Sequence, residues 1–255
     1  MNPPVRDWHG KRVWVIGASS GIGEASAQLL HDVGARVAFS ARNGDALAAS
    51  VAGLPRAQAL ALDVTNRASV RSAGERLLAQ WGGLDLVLLV AGGYQPMQAD
   101  SFDLEVAQSL LALNVGGVYN CLDVVLPVLL EQGAGGIGIV SSVAGYGGLP
   151  KALAYGPTKA ALINLSEALM LDLQPRGIAV YQINPGFVAT RLTAANDFAM
   201  PALMSAADAA IELVHGIERG QFHIHFPKRF TNVMRLARLL PYRLYFYLIK
   251  KVTSR

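Results

Sequence analysis

The chain has 255 residues, 52% hydrophobic and only 16% charged, with a formal net charge of +4 and a pI of about 9.3. These proportions exclude a disordered or strongly charged chain and require a large core. The basic balance alone leaves nucleic acid, a membrane surface and an anionic ligand open.

In chain order, short apolar segments bounded by Gly, Asp or Asn at 11–16, 36–40, 57–62, 84–91, 136–141 and 178–183 read as buried strands. Helical patterns at 22–33, 46–51, 69–80, 102–131 and 154–174 lie between them, and 205–219 and 222–226 add a helix and a last strand. Strands apolar on both faces and alternating with helices predict an α/β fold, a doubly wound parallel sheet in a single domain over 1–226. Residues 227–255 form a helical appendage split by Pro241. The single cysteine, Cys121, excludes an intramolecular disulfide and a CxxC metal pair, so no metal site and a cytoplasmic setting are expected. The segment 1–7 lacks the apolar stretch of a secretory leader, and no uninterrupted run of about 18 apolar residues marks a bilayer span.

The first strand enters Gly17-Ala18-Ser19-Ser20-Gly21-Ile22-Gly23 and then a helix. Glycines there let the backbone turn tightly against a pyrophosphate, and the helix N-terminus offers N–H groups and a positive dipole end. The spacing is GxxxGxG, not GxGxxG; the alternative is a Gly-rich turn without a ligand. The second strand ends without the carboxylate that usually holds an NAD ribose, and Arg42 stands near that place. A guanidinium pairs with a 2′-phosphate, so NADP(H) is preferred and NAD(H) is second; a solvated loop arginine is the alternative. Asp63 either accepts from an adenine amine or caps the next turn.

Tyr155 and Lys159 share one face of the fifth helix at i and i+4. An ammonium beside a phenol favours the phenolate, which would turn Tyr155 into a general acid/base. Ser142 lies thirteen residues earlier, at a strand's carboxyl end, where ligands of open parallel sheets bind. Asn114 stands in mid-helix, against its propensity, and is either functional or on a solvated face. Asn184-Pro185-Gly186 turns the chain over the same sheet edge.

Together these residues resemble the classical short-chain dehydrogenase/reductase family over about residues 10–226. Gly17, Gly21 and Gly23 match its glycine motif. Asn114, Ser142, Tyr155 and Lys159 match its catalytic tetrad, and Pro185, Gly186 and Thr190 its nicotinamide-side motif. The resemblance implies a Rossmann-type oxidoreductase that moves a hydride between nicotinamide and a carbonyl or secondary alcohol, usually as a homodimer or homotetramer. It implies that Tyr155 protonates the carbonyl oxygen, Ser142 orients it, Lys159 holds the ribose and lowers the Tyr155 pKa, and Asn114 anchors a relay water. Ser19, Ser20, Ile22, Val64, Ala91, Gly92 and Val188 complete the expected cofactor contacts. The family's usual Thr and Asn are replaced by Ile16 and Val90. A non-catalytic nucleotide sensor or scaffold on the same fold is the competing reading.

The segments 93–97, 143–150 and 187–201 are largely apolar and predict a hydrophobic ketone, aldehyde, acyl or lipid-like substrate, with Tyr94, Tyr146, Phe187, Leu192, Phe198 and Met200 as candidate contacts. Residues 227–255 hold eight of the 22 basic residues and none of the 18 acidic ones. Basic residues interleaved with Leu, Phe and Tyr fit interface packing, a lid, or peripheral membrane contact; nucleic acid is not expected.

Overall fold

The computed structural model describes residues 2–194 and 200–253; Phe198 and Arg255 lie outside them. Seven strands, β1 (Arg12–Ile16), β2 (Arg36–Ser40), β3 (Ala57–Ala59), β4 (Leu86–Leu89), β5 (Gly136–Val140), β6 (Ala179–Pro185) and β7 (His223–Phe226), form one parallel sheet in the order β3-β2-β1-β4-β5-β6-β7. Val13 and Val15 of β1 point into one layer, with Leu30, Phe39 and Leu213; Trp14 and Ile16 point into the other, with Leu77, Val125 and Leu129. Both faces are therefore core, which is why β4 and β5, and β1 after Arg12, carry no polar alternation.

Helices α1 (Gly21–Asp32), α2 (Gly44–Val51) and α7 (Ala206–Glu218) supply the first layer. α3 (Arg67–Trp81), α5 (Gly117–Gln132) and α6 (Tyr155–Leu173) supply the second, and α4 (Leu104–Leu111) buries Leu110 in a smaller cluster with Met97 and Ala154. The helix expected at 102–131 is continuous but not uniform, because a π-helical turn, Ala112–Gly116, joins α4 to α5. Among the described residues, the Leu104–Gln132 stretch is long and apolar enough to cross a membrane; here Leu110, Val118, Cys121, Val125 and Leu129 face the protein interior.

Two predicted strands shorten. Pairing at 57–62 is regular only over Ala57–Ala59, and 84–91 narrows to Leu86–Leu89. The chain beyond β4 crosses the end of β1 instead: the Ile16 carbonyl accepts from both Val90 and Ala91 N–H groups at 2.8 Å. That backbone joint needs no polar side chain, so aliphatic Ile16 and Val90 leave no orphaned partner there.

Past β7, a cis Phe226–Pro227 bond leads into α8 (Lys228–Ala237) and then α9 (Tyr242–Thr253). Pro241 separates them as expected, its carbonyl accepting from Leu244 and Tyr245. Thr231, Met234 and Tyr245 are buried against the body.

Candidate active site

The strand order reverses between β1 and β4, so a crevice opens at the carboxyl ends of the sheet. It is a cleft of about 450 Å³, walled by the 17–23 turn, Arg42, Ala91, Gly92, Ser142, Tyr155, Lys159 and the 185–193 segment.

The glycine turn is dictated by contact. Gly17 has φ +103° and its Cα faces the Ala91 backbone, so a Cβ would collide with it. Gly23 is pressed against the Gly17 carbonyl, which excludes any side chain there. Ser20 is the N-cap of α1 and makes no side-chain cap, so the positive end of that helix faces the cleft without an internal acceptor side chain. Ser19, Ser20, Gly21 and Ile22 all line the wall.

Arg42 lies two residues beyond β2, exposed on the cleft wall. Asn43, which the sequence reading passed over, also lines it while capping α2 through the Ala46 N–H at 3.0 Å. Its signal was the N-cap residue before a helical pattern. Asp63 closes a turn: its Oδ1 accepts from Thr65 N at 2.9 Å and Thr65 Oγ1 at 2.8 Å. Those bonds, aided by the Arg42 charge, hold its carboxyl below the usual range. Val64, its neighbour, lines the cleft.

At the other end α6 opens on Tyr155, with Lys159 one turn further. Lys159 is 4% exposed, and its Nζ donates to the Val140 carbonyl at 2.9 Å. Burial lowers its ammonium to about 8. Ser142 caps a short 3₁₀ turn, Val143–Gly145, by accepting from Ala144 N at 3.1 Å, and its hydroxyl also hydrogen-bonds the Tyr155 phenol. Tyr94 meets Tyr155 edge-on, ring centroids 5.0 Å apart.

The expected depression of the Tyr155 pKa by Lys159 is corrected here. Burial pushes the phenol up to about 12, and the Ser142 hydrogen bond offsets only part of that. Lys159 Nζ lies 5.7 Å from the ring centroid and is directed to Val140. Desolvation therefore outweighs the ammonium's pull.

Asn114 is fully buried, not on a solvated face. Its Oδ1 accepts from Gly93 N at 2.7 Å, and its Nδ2 donates to Gly93 O and to Thr158 Oγ1, both at 3.0 Å. Thr158 Oγ1 in turn donates to the Tyr155 carbonyl at 2.7 Å. Asn114 thus straps the loop after β4 to the first turn of α6. Thr158 escaped the sequence reading because a threonine inside a helix carries no signal until its partner is placed.

Two substrate expectations are corrected. Tyr146 is 7% exposed and turns away from the cleft; its Oη lies 2.7 Å from His223 Nε2, and its ring packs with Val143, Ile163 and Met234. A phenol among apolar neighbours needs a partner, and His223 supplies it. Phe187 stacks on Phe230 of α8 at 5.4 Å and is not part of the cleft wall. Leu192, Pro185, Gly186, Val188 and Thr190 line it, together with Arg191.

The family model for short chain dehydrogenases matches residues 11–199. An uncharacterized oxidoreductase of Myxococcus xanthus (strain DK1622) is 37% identical over 235 residues, covering 89% of this chain and 91% of that one. The crystal structure of a short-chain dehydrogenase from Streptomyces avermitilis superposes with a TM-score of 0.81 at 26% identity, over 96% of this chain and 98% of that one. A crystal structure named as ribose-5-phosphate isomerase from Brucella melitensis 16M superposes at 0.79 with 28% identity, over 86% of this chain and 92% of that one. Names differ across this fold; the glycine turn, the Ser142–Tyr155–Lys159 group and the sequence matches agree, and the chain belongs to the oxidoreductases of the classical short-chain dehydrogenase/reductase family.

Proposed function

We propose that the protein is an NADP(H)-dependent reductase of hydrophobic carbonyl compounds, acting at CH–OH/C=O centres. The observation that carries this reading is one cleft holding Arg42 at one end and Ser142, Tyr155 and Lys159 at the other. The residues suit a nicotinamide dinucleotide: Gly17 and Gly23 let the turn close against Ala91 and on itself, which leaves the α1 N-terminus facing the cleft, and at Gly92 a Cβ would come within 3.2 Å of Asn114 Oδ1 and 3.5 Å of Lys159 Nζ. When bound, the nicotinamide supplies the hydride for reduction or accepts it for oxidation.

The remaining work falls to this chain. Ser142 Oγ and Tyr155 Oη converge on the carbonyl oxygen, and Tyr155 Oη delivers its proton to it. A phenol raised by burial to about 12 is held protonated at neutral pH, the form that can deliver a proton to the carbonyl oxygen. Lys159 Nζ, beside Gly92, holds the ribose and supplies positive charge when Tyr155 gives up its proton. Asn114 keeps the Gly93 loop and α6 in register and supports a water relay to Lys159. Arg42 pairs with the 2′-phosphate; Ser19, Ser20 and the α1 N-terminus take the pyrophosphate. Leu192 contacts the substrate, and Tyr94 packs edge-on against the Tyr155 ring.

We place self-association, as a homodimer or homotetramer, on the outer face of α4, α5 and α6, where Leu104, Leu111, Tyr119 and Leu171 are exposed. The setting is cytoplasmic.

The test is a panel of long-chain and aromatic ketones and aldehydes with NADPH consumption as readout. Wild type is expected to turn over members of the panel. Tyr155→Phe should lose about 10²–10⁴-fold in rate while binding NADPH as wild type does. A Tyr155→Phe enzyme with wild-type turnover overturns the mechanism; a wild type that binds NADPH and reduces nothing favours a nucleotide sensor.

A further inference from the structure

The α8–α9 hairpin is fastened firmly on one side and left apolar on the other. On the inner side, Arg235 Nη1 donates to His225 Nε2 at 3.0 Å, His225 Nδ1 lies 2.7 Å from Thr231 Oγ1, and Met234 packs on Tyr146 and Ile163. Tyr245 Oη donates to the Gly148 carbonyl at 2.9 Å, and its ring covers Gly147. On the outer side, Leu236, Leu239 and Tyr242 are 65%, 79% and 79% exposed, with Val233, Phe246 and Tyr247 beside them. Basic residues Arg229, Arg243 and Lys251 are interspersed along the same stretch, and no acidic residue occurs between 227 and 255.

Charge decides the occupant. A second copy seated on this face by two-fold symmetry would bring basic patch against basic patch. A nucleic acid would satisfy the cations yet leave the leucine crest in water. An anionic lipid surface takes both, the cations at the phosphates and the apolar side chains in the headgroup–acyl boundary.

We propose that the α8–α9 hairpin docks the protein on anionic phospholipid bilayers. Because Tyr245 ties α9 to the loop that follows Ser142, docking sets that loop beside the lipid. The proposal does not rest on the reductase reading.

The experiment is flotation of the full-length protein with phosphatidylcholine vesicles and with vesicles one-third phosphatidylglycerol. Wild type should float with the anionic vesicles at low salt, detach as salt rises, and bind neutral vesicles far less. Leu236→Ser/Leu239→Ser should weaken partitioning about tenfold or more. Arg243→Gln/Lys251→Gln should weaken it about 25-fold, about fivefold for each charge removed. Both variants should melt as wild type does, which separates lost docking from lost folding. Absence of wild-type flotation at low salt overturns the proposal. So does docking unchanged in both variants, or a concentration-dependent dimer that Leu236→Ser/Leu239→Ser abolishes. Binding to duplex DNA that is tighter than to anionic vesicles and indifferent to the leucine variant also overturns it.

Discussion

Lys159 sits at a cost to the fold. Its ammonium is buried, faces one carbonyl, and is lowered to about 8 from an ordinary value of 10.5. Between those values the unfolded chain binds a proton that the native one does not, so stability should rise with pH from about 8 to 10.5. Below about 8 the native state carries the full penalty, bounded at about 3 kcal/mol by the size of the shift. Lys159→Met keeps the side chain's length and removes the charge, at the expense of the bond to Val140. We expect it to be more stable than wild type at pH 7 by about 1 kcal/mol, to lack the rise above pH 8, and to be inactive; thermal melts across pH 7–10 measure this. A melting temperature at pH 7 equal to or below wild type's would mean that the ammonium is adequately solvated by its surroundings. Arg42 makes a separate residue-scale prediction. Arg42→Ala should weaken NADPH binding about 10–100-fold, the worth of a charge-assisted contact, and leave NADH within about twofold. Fluorescence titration with both nucleotides decides it, and equal losses would remove the 2′-phosphate assignment.

Elements meet most unusually at the β7–α8 junction, a buried polar clasp. Asn184 Nδ2 lies 3.2 Å and Tyr146 Oη 2.7 Å from His223 Nε2, and His225 is held between Thr231 and Arg235. Burial, then the charges of Arg235, Lys228 and Arg238, lowers His223 to about 4; burial, then Lys228, His223 and Arg235, lowers His225 to about 3. Below pH 6.5 the unfolded chain takes up protons that the native imidazoles refuse, so the clasp loses stability as pH falls from 6.5 toward 4. Melts from pH 7 to 5 should show this decline, and His223→Gln/His225→Gln should flatten it; an equally steep decline in that variant would place the acid sensitivity elsewhere. The sheet and the long helices were legible in the sequence because strands buried on both faces are apolar throughout, and the spacing of Ser142, Tyr155 and Lys159 carried over into one cleft. What was not legible depends on partners distant in sequence. Tyr146 turns toward His223, 77 residues away, and β3 is regular only to Ala59, although the Leu60 and Leu62 N–H groups still donate to the Phe39 and Ala41 carbonyls beside it. The Tyr155 pKa followed the same rule: spacing shows which cation is near, while only packing shows how much water is gone.

At the scale of the whole molecule, the basic pI separates into two parts. Residues 1–226 hold four more acidic than basic residues, and the hairpin region holds the excess cations. The molecule is therefore electrically polar, and near an anionic surface that polarity would turn it hairpin-first, strongly at low salt and weakly beyond a Debye length of about 8 Å in physiological salt. The π-helical turn at Ala112–Gly116 also reaches beyond its own residues. Such a turn holds one residue more than the α-helical repeat, and each residue of an α-helix advances the side chains by about 100°. Asn114 and its straps thus act as a phase shift between two halves of one rod. They select which flank of α5 meets the sheet and which flank, with Tyr119, faces outward. A single-residue deletion within 112–116 would not trim a loop; it would rotate sixteen residues of core helix at once.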